Sequence, residues 1–289
     1  MTDTCRTGAE VTEDDREELE RLREEVHHLR ARTVAWPLIA QAQGVVQERY
    51  RLADVESAFA LLQHVSQRRN VKLRALAEAL VAAPRPDENR DLWFPGRTRR
   101  VPPALDHLGL DDPGHLNRGA VLDAVLSQVL AITDTTMGNV QLADRPARGL
   151  RMAKHVGLNS DFVRFFHFVG ADGTSCARAA KENRQITVHD VEQEPVFTED
   201  ARRVILAAGS KAAHSVPLTS DSGVCLGMVS AHLDHVLRPL STAQIDAMER
   251  VGRQAGRWLF WYDRTVVIDA LEYLHATARN SKAAPARRR

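Results

Sequence analysis

Arg68, Arg69, Lys72 and Arg74 crowd one short stretch, with Ser66 and Asn70 among them. Guanidinium and ammonium groups at this spacing can meet phosphates, and Asn and Ser can read base edges in a splayed loop. An ordinary solvated cationic turn has the same composition, and the residues alone favour that plainer account. Arg97, Arg99 and Arg100 could extend such a footprint, but they read better as charges of a solvated linker.

Cys176 opens the run TSCARAAKEN, where a helix start favours thiolate. A small buried thiol is the more frequent arrangement. Cys225, in VCLGMVS, reads as structural. The histidines, among them His27, His28, His155, His167, His189, His214, His232 and His235, show no zinc-like spacing. His232 and His235 are three apart, a weak metal signal, and no metal or cofactor is expected. Asp134 and Asp190 have no evident acid–base partner. There is no nucleotide-binding glycine loop, no Gly-x-Ser-x-Gly elbow and no kinase wording. No catalytic residue is therefore expected, and the chain reads as a non-enzyme.

The 289 residues allow about two domains. Lys and Arg number 39 against 38 Asp and Glu, so no global field draws in nucleic acid, and any such site must be a local patch. Three scattered cysteines, Cys5, Cys176 and Cys225, argue against a disulfide framework and for a reducing compartment. The acidic N-terminus lacks an apolar core, and the apolar runs fall short of a membrane span. A cytoplasmic protein without membrane contact is expected.

The elements that must position these groups follow from periodicity. Residues 1–13 read as a disordered lead. In 14–36, Leu19, Leu22, Val26, Leu29, Thr33 and Trp36 alternate three and four apart, an a/d seam. A single solvated helix is the bland account; a coiled coil pairing two chains through Leu19, Leu22, Val26, Leu29 and Trp36 is the favoured one, since a lone helix of this charge is marginal in water. Over 37–83 three amphipathic segments follow one another, with Asp54 as an N-cap and Asn70 as a polar joint. None can bury its stripe alone, which predicts a three-helix unit. Residues 84–117 are a linker by their proline and glycine, with Trp93 and Phe94 available to dock.

From 118 to 262 one helix is followed by period-two segments at Val140 and Leu142, Leu150 and Met152, Ile186 and Val188, and Leu226 and Met228. Helical stretches are expected at SDFVRFFHFV and after a Thr198 cap. The pattern predicts an α+β domain around an antiparallel sheet. A last long segment, 242–280, starts at Ser241 or Thr242; its part beyond 262 is a helical extension that pairs with a second copy or folds back on the linker. Residues 281–289 are a basic tail.

Two resemblances join this reading. Ile39, Gln41, Ala42 and Gly44 in Ile-x-Gln-Ala-x-Gly, Ala58, Phe59 and Leu62 in Ala-Phe-x-x-Leu, and then Ser66, Asn70, Lys72, Leu73 and Ala77 resemble the ANTAR domain. That resemblance implies an RNA-binding antitermination module gripping tandem hairpin loops in nascent transcripts, with Gln41, Gln43, Gly44, Ser66, Arg68, Arg69, Asn70, Lys72 and Arg74 at the RNA. Trp36 and Gln43 stand where the family usually has cations. Asn139-Val140-Gln141-Leu142, Gly173-Thr174-Ser175-Cys176, Val188-His189-Asp190-Val191 with Pro195 and Phe197, Ser215-Val216-Pro217-Leu218 and Leu226-Gly227-Met228-Val229-Ser230 resemble the GAF family. A pocket between its sheet and covering helices is the expected ligand site, near Asn139, Gln141, Phe166, Cys176, Asp190, His214 and His232. The order is similar to actinobacterial-type GAF/ANTAR antitermination regulators.

Three functions follow. The first is a homodimeric RNA-binding regulator whose rear domain senses an unidentified small molecule or redox state. The second is a thiol enzyme resembling methionine sulfoxide reductases of the GAF fold. The third, motivated by Trp36 and Gln43, is an interaction protein whose helical unit no longer binds RNA.

Overall fold

A computed structural model describes residues 37–87, 90–170 and 173–283, with side chains described to residue 280. The seam at 14–36, with its dimer candidates Leu19, Leu22, Val26, Leu29 and Trp36, lies outside the described residues, as do the lead and the basic tail beyond 283; residues 281–283, expected in that tail, close the last helix.

The front of the described chain is three helices: α1 over 37–50, α2 Val55–Arg69 and α3 Leu73–Ala82. Ala42, Val46 and Tyr50 of α1, Ala58, Leu62 and Val65 of α2, and Leu76, Ala77 and Leu80 of α3 are buried at helical spacing. Asp54 caps α2, its carboxylate accepting the Ser57 N–H at 2.7 Å. Asn70 ends α2 in the left-handed region at φ 51°, and its N–H bonds the carbonyls of Ser66 and Gln67. The sharp joint between α2 and α3 follows from that one conformation.

The rear domain is a six-stranded antiparallel sheet in the order β3-β2-β1-β6-β5-β4. The strands are β1 Met137–Asp144, β2 Gly149–Val156, β3 Phe168–Val169, β4 Ile186–Val188, β5 Ala212–Thr219 and β6 Cys225–Leu233. Helix α4 (Arg118–Thr133) and helix α8 (Thr242–Arg264) cover one face. Helices α5 (Ser160–Phe165), α6 (Ser175–Glu182) and α7 (Glu199–Ala207) belong to the core on the other. Ser241 and Gln244 form a reciprocal capping box at the start of α8, as the sequence predicts. Thr198 caps α7 as expected. Asp134 ends α4 in the left-handed region at φ 51°.

Glycine sets the fit of α8 on β5. A Cβ at Gly256 would stand 2.2 Å from the Thr219 backbone nitrogen, and one at Gly252 would stand 2.5 Å from the Pro217 carbonyl oxygen. Spaced one turn apart, they let the helix lie against strand backbone.

Three elements differ from the sequence reading. The helix expected through SDFVRFFHFV stops at Phe165, and Phe168–Val169 pairs with β2 instead. Strand β5 shows no alternation because both its faces are covered, every residue from Ala212 to Leu218 being buried. The long C-terminal segment is interrupted at Thr265; beyond the break α9 (Val266–Ala283) folds back on the linker, one of the two arrangements expected, and packs on α2 and α3 as well. Its Ala270, Leu271 and Leu274 complete the core of the helical unit, which continues without a break into α8, α4 and the back of the sheet.

The linker is bonded along its length. Glu272 of α9 accepts the backbone N–H groups of Trp93 and Phe94 at 2.9 and 2.7 Å. The Trp93, Trp258 and Trp261 indoles donate to the carbonyls of Pro84, Pro113 and Arg100. Arg97 pairs with Asp269 of α9. Each buried indole needs an acceptor, and the proline-rich chain, poor in N–H donors, has carbonyls to offer.

Candidate nucleic-acid interface and ligand site

The joint between α2 and α3 presents the cationic cluster. Arg68, Arg69, Asn70 and Lys72 are exposed, while Ser66 and Arg74 are half-buried. The Arg69 guanidinium lies over the Tyr273 ring of α9, 4.5 Å from its centroid. Ser66 donates to the Val71 carbonyl at 2.7 Å, which ties its hydroxyl to the joint. Lys72 occupies the N-cap position of α3 without a side-chain cap bond.

This joint is one wall of a cleft of about 990 Å³. Ser66, Asn70, Lys72 and Arg74 line it on the helical side, and the start of α4 and the β1–β2 hairpin line it on the other. Gln41, Gln43 and Gly44 sit on α1 and are not among its lining residues. Gln41 and Gly44 are exposed, whereas Gln43 is 7% exposed and faces inward.

One carboxylate joins the two walls. Asp144, at the end of β1 and 4% exposed, accepts Arg74 Nη2 at 2.6 Å and Arg151 Nη2 at 2.7 Å on the same oxygen. Its other oxygen accepts the Ala147 N–H at 3.1 Å. Burial pushes this carboxyl up, but the Arg151 and Ala147 bonds and the charges of Arg151 and Arg74 outweigh it and hold the group below the usual carboxylate range. The sequence had no signal for this bond, since Arg74 and Asp144 are brought together only by tertiary packing.

The rear candidates divide between the two faces of the sheet. Asn139, Gln141, Phe166, Cys176 and His232 gather on the α5–α7 face. His232, 5% exposed, bonds Asn139 Oδ1 at 3.1 Å through Nε2 and Ser210 Oγ at 3.0 Å through Nδ1. Its ring meets Phe162 edge-on at 5.0 Å. Gln141 donates to the Phe166 carbonyl at 3.1 Å, and its Oε1 is buried without a partner. Cys176 lies 3.1 Å from Ser230 Oγ and 3.8 Å from Ser215 Oγ. His214 alternates onto the opposite face, between Thr187 Oγ1 and Gln185 Oε1, each at 2.8 Å. Asp190, in the loop after β4, accepts the Glu192 N–H at 2.9 Å.

Burial decides the titration of these groups. It lowers His232 to about 4 and His214 to about 4, so both are neutral at pH 7. Burial also pushes the Cys176 thiol up, against the serine hydroxyls that favour the thiolate. Desolvation outweighs the helix start, and Cys176 is the small buried thiol that the sequence reading favours. Cys225 is half-buried and its thiol is likewise raised by burial. Among the described residues no group of three or more His, Cys, Asp or Glu could hold a metal ion, and no helix is long and apolar enough to cross a membrane.

Comparison with known families decides the architecture. Residues 27–81 match the ANTAR domain and residues 115–258 match the GAF domain. The chain carries an ANTAR domain followed by a GAF domain. The cationic joint thus belongs to the ANTAR domain, and the sheet with its buried polar face to the GAF domain. No curated protein matches the chain in sequence. Among solved structures it is similar to the GAF domain/HD domain protein from Geobacter sulfurreducens, at 15% identity and TM-score 0.45, over 52% of this chain and 96% of that one. It is also similar to free methionine-R-sulfoxide reductase from Neisseria meningitidis, at 16% identity and TM-score 0.40, over 61% and 86%. A third is a domain of a two-component sensor histidine kinase protein from Sinorhizobium meliloti 1021, at 19% identity and TM-score 0.39, over 47% and 86%. These likenesses say nothing about the site.

Proposed function

We propose that the chain is a cytoplasmic transcription antitermination regulator, not an enzyme. In this reading its ANTAR domain grips tandem hairpin loops in nascent transcripts as a homodimer paired through the seam at 14–36. Its GAF domain takes a small-molecule or redox signal. The observation that carries the reading is the exposed polar rim at the α2–α3 joint, with Arg68, Arg69, Asn70 and Lys72 open to solvent on a domain of the ANTAR family. Arg and Lys neutralise phosphate while Asn reads a splayed base.

On the sensing side, the polar face formed by Asn139, Gln141, Ser230 and His232 is the natural place for a ligand. In the conformation described, these groups are buried, and the bonds among them must exchange before one enters. A ligand that does so shifts the population of GAF packings. Helix α9 then carries the change to α2 and α3, since it packs on both and on α8. The thiol-enzyme reading has the burial of Cys176 against it.

Native mass spectrometry of the purified protein, followed by a gel shift with tandem-hairpin RNA, tests the proposal. A dimer that shifts the RNA, less so as salt rises, is expected. A monomer indifferent to the RNA would remove the RNA-binding reading in favour of an interaction protein.

A further inference from the structure

We propose that the RNA site is composite: the GAF wall of the cleft, through Arg118, Arg151 and Lys154, binds the phosphate backbone of the same RNA that meets the ANTAR rim. The inference rests on the RNA-binding reading above and extends it to residues of a domain otherwise read as a sensor.

The geometry is that of a groove with cations on both sides. Lys72 and Arg74 stand on the ANTAR side, and Arg118, Arg151 and Lys154 on the GAF side. They outnumber the carboxylates of the lining, Glu78, Asp123 and Asp144. The two walls come within one side chain of each other, because Arg74 and Arg151 meet on a single oxygen of Asp144. Lys154 bonds Asp123 at 2.7 Å and also lies beside the start of α4, where a Cβ on Gly119 would be 3.9 Å from its Nζ. Arg118, the first residue of α4, is half-buried at that same edge.

A nucleic-acid backbone carries a charge at every nucleotide. A strand seated on Asn70 and Lys72 continues into the cleft, where the facing cations neutralise its next phosphates. The volume, about 990 Å³, is ample for several backbone atoms and their water. Asp144 has a positive part here. With both its oxygens occupied, it holds the Arg74 and Arg151 side chains in place before RNA arrives.

The test uses the full chain and tandem-hairpin RNA over a salt series, with Arg118→Ala, Lys154→Ala and their double variant. Each single change is expected to weaken binding several-fold across RNA sequences. Each should also flatten the dependence of log affinity on log salt by about 0.7–1, the share of one phosphate that is no longer neutralised. Arg118→Lys should restore most of the affinity. Urea unfolding of the same variants is measured in parallel: Lys154→Ala is expected to match wild type, whereas Arg118 also offsets the charges of Glu78 and Asp263, so Arg118→Lys, which keeps the charge, is the variant that separates a lost phosphate contact from lost stability. Unchanged affinity and salt slope in both variants, with wild type binding, would overturn the composite site and leave the ANTAR rim as the RNA site. Tighter binding by the variants would overturn it too, making the GAF wall a cover over that rim. If wild-type protein fails to bind RNA at all, the RNA-binding reading itself falls and takes this inference with it.

Discussion

The ANTAR rim and the polar face of the GAF sheet use similar side chains in opposite ways. At the rim, Arg68, Arg69, Asn70 and Lys72 are exposed, presented by the Asn70 backbone joint, with the Arg69 guanidinium resting on Tyr273. On the GAF face, Asn139, Ser210 and His232 are buried and bonded together, as are Cys176, Ser215 and Ser230. Exposed polar groups keep their charge and can exchange water for a ligand at little cost. Buried ones must be satisfied internally, and any ligand has to replace a bond already made. The first arrangement suits fast contact with a polyanion, the second a switch that opens only for a competing partner.

That contrast can be broken from the buried side first. Gly256→Ala should have the largest effect on stability, about 3 kcal/mol or enough to prevent folding, because its Cβ would collide with Thr219 backbone and not with a mobile side chain. Urea unfolding measures it; a change within about 0.5 kcal/mol would show that α8 does not lie on β5 as described.

Acid comes next. His214 and His232 are held near 4 in the folded chain, against 6.5 when solvated. Between those values the unfolded chain binds more protons than the folded one, so stability is complete above about pH 6.5 and is lost as the pH falls toward 4. The loss at pH 5 is about 2 kcal/mol for each histidine. Unfolding free energies at pH 7 and pH 5 check it, and His232→Gln should remove roughly half of the difference. A flat profile across this range would mean that the two rings are solvated.

Much of the fold was legible because local rules set it. Asp54, Asn70, Thr198 and Ser241 terminate or start helices in the structure as their residue types suggest. Strands β1, β2, β4 and β6 showed through alternate apolar positions, whereas β5, with His214, Ser215 and Pro217 in its middle, carried no such alternation to read. The break at Thr265 has no proline or glycine to announce it. Of the candidate site, the cations near Asn70 were visible as a cluster. Their neighbour Asp144 was not, since 70 residues separate it from Arg74. The placement of His214 away from His232 follows from strand parity, which becomes usable only once β5 is recognised.

In the proposed function the α2–α3 rim meets RNA as a preformed surface. The most direct test of this is the salt dependence of tandem-hairpin RNA binding by wild type and Lys72→Ala, with unfolding measured in parallel. Lys72→Ala is expected to weaken binding several-fold for every hairpin sequence and to lower the salt slope by about 1, with stability within about 0.5 kcal/mol of wild type. Binding that ignores both salt and this substitution would contradict it.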